Sequence, residues 1–257
     1  MSQPPGFENS NNQLVCKLHK AIYGIKQAPR AWLDKLKTTL LQYNFRSSKC
    51  DPSLLIYTEY STVIYMLVYV DDIIVTGNNP TFIKSLVTKL NSEFSLKDLG
   101  NLDYFLGIEV RHQPNGALIL AQSKYIRDLL TKTRMDEANS ISFPMVGGCK
   151  LTKSGYESFS DPILYRSVVG ALQYATITRP EISFPVNKVC QFMSDPTEQH
   201  WAAVKSILIY LAGTVNFGLS FLPSSTGPPF SLHLLAGDIG VYLLSVTLSF
   251  LLVMLLV

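Results

Sequence analysis

The sequence predicts an α+β fold of antiparallel strands with packed helices, then a helical region, then a C-terminal hydrophobic helix. Before about residue 122, strand-length runs of Leu, Ile, Val and Tyr are interspersed with apolar stripes at helical spacing. From 123 to about 218, spacings of three and four dominate, and after Asp238 no charged residue appears. At 257 residues, 47% apolar and 16% charged, the chain is long enough for one or two domains and too apolar to be disordered.

Pro29 opens the first helix, in which Trp32, Leu36, Leu40 and Tyr43 form one apolar face that ends near Asn44. Ser53 to Tyr57 and Val63 to Val75 have strand length and composition. Pro80 begins a second helix with a stripe of Ile83, Leu86, Leu90 and Phe94. Asp103 to Gln122 reads as a hairpin turning at Asn115-Gly116, a strong short-range hairpin signal. Four further helices are predicted over Lys124–Arg134, Leu164–Ile177, Ile182–Met193 and Thr197–Ala212, with a loose connector at about 139–160. Asn216 to Pro229 reads as a short strand and a Ser/Pro/Gly linker. The resulting organisation is a polar segment at 1–13, an α+β region at 14–122, a helical region at 123–218, a linker with a short strand at 219–235, and a hydrophobic tail at 236–257.

Cys16, Cys50, Cys149 and Cys190 form no Cys-x-x-Cys pair, which argues against a zinc knuckle, a redox dithiol or a disulfide scaffold and fits a reducing compartment. The polar N-terminus has no apolar core segment and is not a secretory signal. Charge is unevenly distributed. Leu14 to Lys49 carries eight Lys/Arg against one acid, +7, within a chain of net +3. Interleaved with Tyr23, Trp32 and Tyr43, this segment reads either as a surface that neutralises phosphates or as a solvated helix face.

Asp71 and Asp72 are the only charges within the strongest apolar run, Val63 to Val75. Successive strand residues face opposite ways, so a continuous strand would bury one of these carboxylates at a cost of several kcal/mol if unpaired. A tight turn at the pair removes that conflict. The turn would present two carboxylates suited to a hard divalent cation such as magnesium, although Asp-Asp also serves as ordinary turn filler.

The surrounding residues, Tyr69-Val70-Asp71-Asp72 within Leu67 to Gly77, resemble the polymerase motif of reverse transcriptases, and specifically of the copia-type retrotransposon family. The resemblance extends over about 200 residues. It includes Tyr23 to Trp32, Asp51-Pro52-Ser53, Lys97-Asp98-Leu99-Gly100, Phe105-Leu106-Gly107-Ile108-Glu109 and Lys124-Tyr125-Ile126. Farther on it includes Tyr165-Arg166, Gly170 to Tyr174, Thr178-Arg179-Pro180, and His200-Trp201 through Thr214. It implies an RNA-dependent DNA polymerase region of a Pol polyprotein, with a palm followed by a thumb and connection region.

By the same resemblance, Asp71 would ligate Mg2+ directly and Asp72 would support it, in a two-metal nucleotidyl transfer using an RNA template, a DNA primer and deoxynucleotides. Tyr69 would pack near the primer end, Lys26 and Arg30 would meet phosphate, and Gln27 would bond a base or sugar. Gly107 lies in a block whose second half resembles the primer grip. Trp32 reads as a core residue heading its helical stripe, with stacking as the alternative, and His200 as a capping or core histidine. The family pattern places a further aspartate in a block preceding Gln3 to Phe7, so this chain by itself is expected to be inactive as a polymerase. A nucleic-acid-binding module without catalysis and a tail-anchored membrane protein are the alternatives. Arg179-Pro180-Glu181 departs from the family's Arg-Pro-Asp but keeps the charge.

The tail departs from the family altogether. Ile239 to Val257 would extend about 28 Å as a helix, near the roughly 30 Å hydrocarbon core of a bilayer. A membrane anchor, a buried core helix and an out-of-frame remnant of an RNase H segment are the open readings, and membrane contact through 239–257 is expected if it inserts.

Overall fold

A computed structural model describes residues 28–49, 51–70, 72–94, 96–147, 150–153, 156–222 and 231–236, with Gln3, Gly6 and Asn11; for 28–29 and 231–236 the backbone alone is described. The chain divides into two compact units, one comprising 1–101 with 228–257 and the other 102–227.

The first unit is built on a six-stranded antiparallel sheet in the order β1-β2-β3-β4-β10-β5. Its members are β1 (Arg46–Ser47), β2 (Leu54–Glu59), β3 (Thr62–Tyr69), β4 (Asp72–Gly77), β5 (Lys97–Asn101) and β10 (Ser231–Ala236). Helices α1 (Ala28–Gln42) and α2 (Pro80–Phe94) cover one face. Their apolar stripes bury Leu36, Leu40, Ile83, Leu86 and Leu90 against alternate strand residues Leu55, Tyr57, Ile64, Met66, Val68, Ile73 and Val75. Removing one such aliphatic side chain to Ala typically costs 2–5 kcal/mol, roughly, so these two periodicities meeting at one interface hold the unit together. Asn44, with φ 64°, stops α1, and the Asn79 side chain accepts from the Phe82 amide to start α2. Trp32 is half-buried and meets Phe94 edge-on at 6.4 Å, the packing role assigned to it from its stripe.

The second unit combines a four-stranded antiparallel sheet with four α-helices. Its strands are β6 (Tyr104–Phe105), β7 (Ile108–His112), β8 (Leu118–Ala121) and β9 (Gly218–Phe221), and its helices α3 (Ser123–Thr133), α4 (Pro162–Ala175), α5 (Ser183–Cys190) and α6 (Glu198–Gly213). The β7–β8 hairpin turns through Asn115-Gly116, with Gly116 at φ 81°. Helical faces converge on a core including Ile126, Leu130, Tyr165, Val169, Leu172, Val204 and Leu208.

Two boundaries differ from those read in the sequence. The first α+β region ends at Asn101 instead of 122, because β7 and β8 are tied to the helices: Glu109 accepts from the Lys124 amide, Arg111 donates to the Ser123 hydroxyl, and Thr178 donates to buried Gln122. Residues 231–236, divided by sequence between a linker with a short strand and a hydrophobic tail, form β10, an interior strand paired with β4 over six residues. The Ser/Pro/Gly composition of the preceding segment masked the alternation of Leu232 and Leu234 with Ser231 and His233. The uncharged run 239–257 lies outside the described residues, among which no helix is long and apolar enough to cross a membrane.

Two buried polar residues organise the helical unit. Arg179 is 1% exposed and each of its three guanidinium nitrogens donates: Nε to Glu181 at 2.6 Å, and the terminal nitrogens to the Thr214 carbonyl and hydroxyl at 2.8 and 2.6 Å. The Glu181 carboxylate thus pairs with the arginine two residues before it. His200 completes a capping box on α6: its Nδ1 accepts the Thr197 amide at 3.0 Å, so its Nε2 carries the proton and donates to the Thr152 carbonyl at 3.0 Å. Burial pushes the His200 pKa down, so the ring stays neutral in the fold.

That arrangement fixes a pH dependence. Above the ordinary histidine pKa of about 6.5 the stability is complete, and as pH falls below it the unfolded chain takes up the proton first. Denaturant midpoints of the second unit should therefore fall with pH below about 6.5, and His200→Gln should flatten that decline.

Candidate active site

β3 and β4 form a hairpin whose last ladder pair is Tyr69 with Asp72. Positions 70 and 71 make the link, so the turn expected at the aspartate pair does occur, but Asp72 is the first residue of β4 and not part of the tip. Asp71, Lys26 and Gln27 lie outside the described residues. Val70 is held at φ 52°, a left-handed conformation unfavourable for a β-branched residue by about 1–3 kcal/mol. No sequence signal announces it.

Because Ile64, Met66 and Val68 face α1 and α2, strand alternation puts Tyr69 on the opposite face, and its cross-strand partner Asp72 with it. Both are partly buried. The Tyr69 phenol is pushed up from its ordinary value, first by burial and then by the Asp72 charge, which keeps it protonated at neutral pH. Two other segments reach this end of the sheet. Ser53 O accepts from the Val68 amide at 3.0 Å, and Asp51 Oδ1 accepts from the Ser53 amide at 2.8 Å, bringing the Asp51-Pro52-Ser53 block to the hairpin's tip. Lys97, an exposed residue that opens β5, stands across Ala236 of β10 from Asp72, two strand spacings or about 10 Å away. Lys97 was legible only as part of a motif block; its place two strands from Asp72 comes from sheet order.

Two other candidate residues, Arg30 and Gly107, lie within the described residues. Arg30 is exposed in the first turn of α1, whose apolar stripe packs on the opposite face. Gly107 belongs to the second unit, in the turn joining β6 to β7, at φ 79° after Leu106 at φ 48°. The Tyr174 hydroxyl donates to the Leu106 carbonyl and fixes that turn against α4. A side chain at 107 would have ordinary room, 3.6 Å from the Tyr174 ring, so glycine is required there by its φ and not by space.

Carboxylate oxygens at a sheet end are donors suited to a hard divalent cation, which commonly uses one or two carboxylates and completes its shell with water and substrate phosphate. Among the described residues no group of three or more His, Cys, Asp or Glu side chains converges.

A family model described as reverse transcriptase (RNA-dependent DNA polymerase) matches residues 1–147. The chain belongs to this reverse transcriptase family. Its relatives place it with copia-type retrotransposons. It is 47% identical to the retrovirus-related Pol polyprotein from transposon RE1 of Arabidopsis thaliana, over 91% of this chain and 16% of that protein. It is 37% identical to the Pol polyprotein from transposon TNT 1-94 of Nicotiana tabacum, over 86% of this chain and 17% of that protein. A putative transposon Ty5-1 protein of Saccharomyces cerevisiae is 30% identical over 88% of this chain and 74% of its own length. This chain thus spans about a sixth of the length of those two Pol polyproteins. No solved structure matches it.

The turn conformations supply a direct test of this geometry. Gly107→Ala should destabilise the second unit by about 1–2 kcal/mol, whereas Val70→Gly should stabilise the first by about 1 kcal/mol, both read from denaturant midpoints.

Proposed function

We propose that the chain supplies the carboxylate hairpin of a retrotransposon reverse transcriptase that copies an RNA template into DNA. The observation that carries this reading is the β3–β4 hairpin: Tyr69 and Asp72 close its ladder on the face away from α1 and α2, and Val70 is strained beside them. Strain of this kind concentrates at functional sites, and the family is one of metal-dependent polymerases.

In this reading Asp71 and Asp72 hold a divalent cation, Mg2+ in the two-metal scheme, which would lower the cost of activating a primer hydroxyl and of releasing pyrophosphate. Tyr69, protonated, packs beside the primer end. Lys26 and Arg30 meet backbone phosphate, Gln27 bonds a base or sugar, and the Gly107 turn positions the primer strand. RNA template, DNA primer and deoxynucleotides are the substrates, in an intracellular setting.

Catalysis is tested in a polypeptide joining this chain to the preceding segment of such a Pol polyprotein. Asp71→Asn should abolish RNA-templated primer extension and Asp72→Asn should reduce it less; full extension by the Asp71→Asn polypeptide would overturn the assignment. Binding is tested separately and does not depend on metal. Affinity for an RNA–DNA duplex should fall steeply with salt, and replacing Lys26 and Arg30 together should reduce the slope of log affinity against log salt by about 0.7–0.9 per lost contact. An unchanged slope would return the +7 segment to a solvated helix face.

A further inference from the structure

The motif block Gly170 to Tyr174 lies in the last turns of α4, where Leu172 is fully buried and Tyr174 half-buried. The Tyr174 hydroxyl donates to the Leu106 carbonyl, 68 residues away in sequence, in the turn that joins β6 to β7. Its ring backs the same turn, since a Cβ at Gly107 would stand 3.6 Å from it. Tyr125 of α3 meets that ring edge-on at 5.1 Å, and its own hydroxyl donates to the Ala171 carbonyl at 3.2 Å. Tyr174 thus reaches the turn from a support made by two packed helices.

The turn needs that support. Phe105 and Ile108, its flanking pair, are buried, and both residues between them have positive φ, 48° at Leu106 and 79° at Gly107. Two positive values are what a type I′ turn requires, and Asn-Gly is the sequence that favours it. Glycine meets the requirement at 107. At 106 the leucine Cβ crowds the following carbonyl oxygen, and leucine lacks the side-chain amide with which Asn bonds its own backbone. The left-handed Leu106 is therefore held from outside, by the buried flanking pair and by the bond from Tyr174.

We infer that Tyr174 is a positioning residue for the primer strand: by bonding the Leu106 carbonyl it selects the conformation in which the 106–107 backbone meets that strand. The inference rests on the reading that the Gly107 turn positions the primer. Without the hydroxyl the hairpin still closes, but its tip samples other turn types and only part of the population presents the matching surface. The +7 segment is untouched by this change, so overall affinity for a duplex and its salt dependence stay as they are.

The test uses the full-length chain saturating an RNA–DNA duplex with a recessed primer 3′ end at low salt. It reads the protection of primer-strand sugars from hydroxyl radicals, with the denaturant midpoint of the second unit measured alongside. The unsubstituted chain should protect a stretch of the primer strand. Tyr174→Phe should lower that protection by about twofold or more, the scale on which one hydrogen bond shifts a conformational equilibrium, and Gly107→Ala should do the same. Leu106→Asn suits the left-handed position unaided and should restore protection to the Tyr174→Phe chain, a rescue that a purely structural role does not give. Tyr165→Phe is the control: it removes a buried hydroxyl of the same helix, bonded to the Val189 carbonyl at 2.8 Å, and should leave the protection intact. If Gly107→Ala loses the protection and Tyr174→Phe keeps it, the role of Tyr174 is refuted while the primer reading stands. If neither substitution changes it, or the unsubstituted chain protects nothing, the primer reading falls and this inference with it. Equal loss in Tyr165→Phe, or no rescue by Leu106→Asn, reduces Tyr174 to a structural residue and overturns the inference.

Discussion

The first unit depends on how its sheet handles two adjacent carboxylates inside an apolar run. A strand long enough to cover 63–75 without a break would bury a charge on one face or the other, at a cost comparable to a large part of a domain's net stability. Ending β3 at Tyr69 and restarting at Asp72 avoids that cost, at the expense of a left-handed valine. The same break splits one run into the two strands β3 and β4 against which α1 and α2 pack, and it leaves Asp72 on the face they do not cover. Fold and candidate chemistry therefore share one physical origin.

In the helical unit the equivalent constraint is the satisfaction of buried polar groups. Arg179 is buried with Glu181 and Thr214 accepting from all three of its guanidinium nitrogens, and the Tyr210 ring lies 5.8 Å from its guanidinium. His200 ties the start of α6 to Thr152 in the connector, and its ring stacks on Phe192 at 3.8 Å. Each is a point where several segments distant in sequence meet around one group. A change at either leaves a donor or acceptor buried and unpaired, which costs more than the bond itself contributes. Both are residues of the motif blocks quoted above, and both act within the helical unit.

Periodicity and punctuation made most elements legible. The stripe Leu36–Leu40, the stripe Ile83–Leu86–Leu90, the Asn115-Gly116 turn and the helical spacings after residue 123 are local features, and the backbone obeys them because each buries its apolar face directly. The paired aspartates also announced a turn, since two adjacent strand residues face opposite ways whatever packs on the strand. Local patterns gave less at 219–235, where proline and glycine outweighed a four-residue alternation, and at 14–122, where side-chain bonds across the β8–α3 junction moved the boundary.

By itself, then, the sequence determined the strand and helix inventory, the break at Asp71-Asp72, the segregated basic segment and the family. Only the tertiary structure decided that Tyr69 and Asp72 share the face opposite the helices, that Asp51 and Lys97 come to the same end of the sheet, and that β10 enters beside β4. The physical reason is that sheet order and register are set by hydrogen bonds between residues far apart in the chain, which no local periodicity encodes.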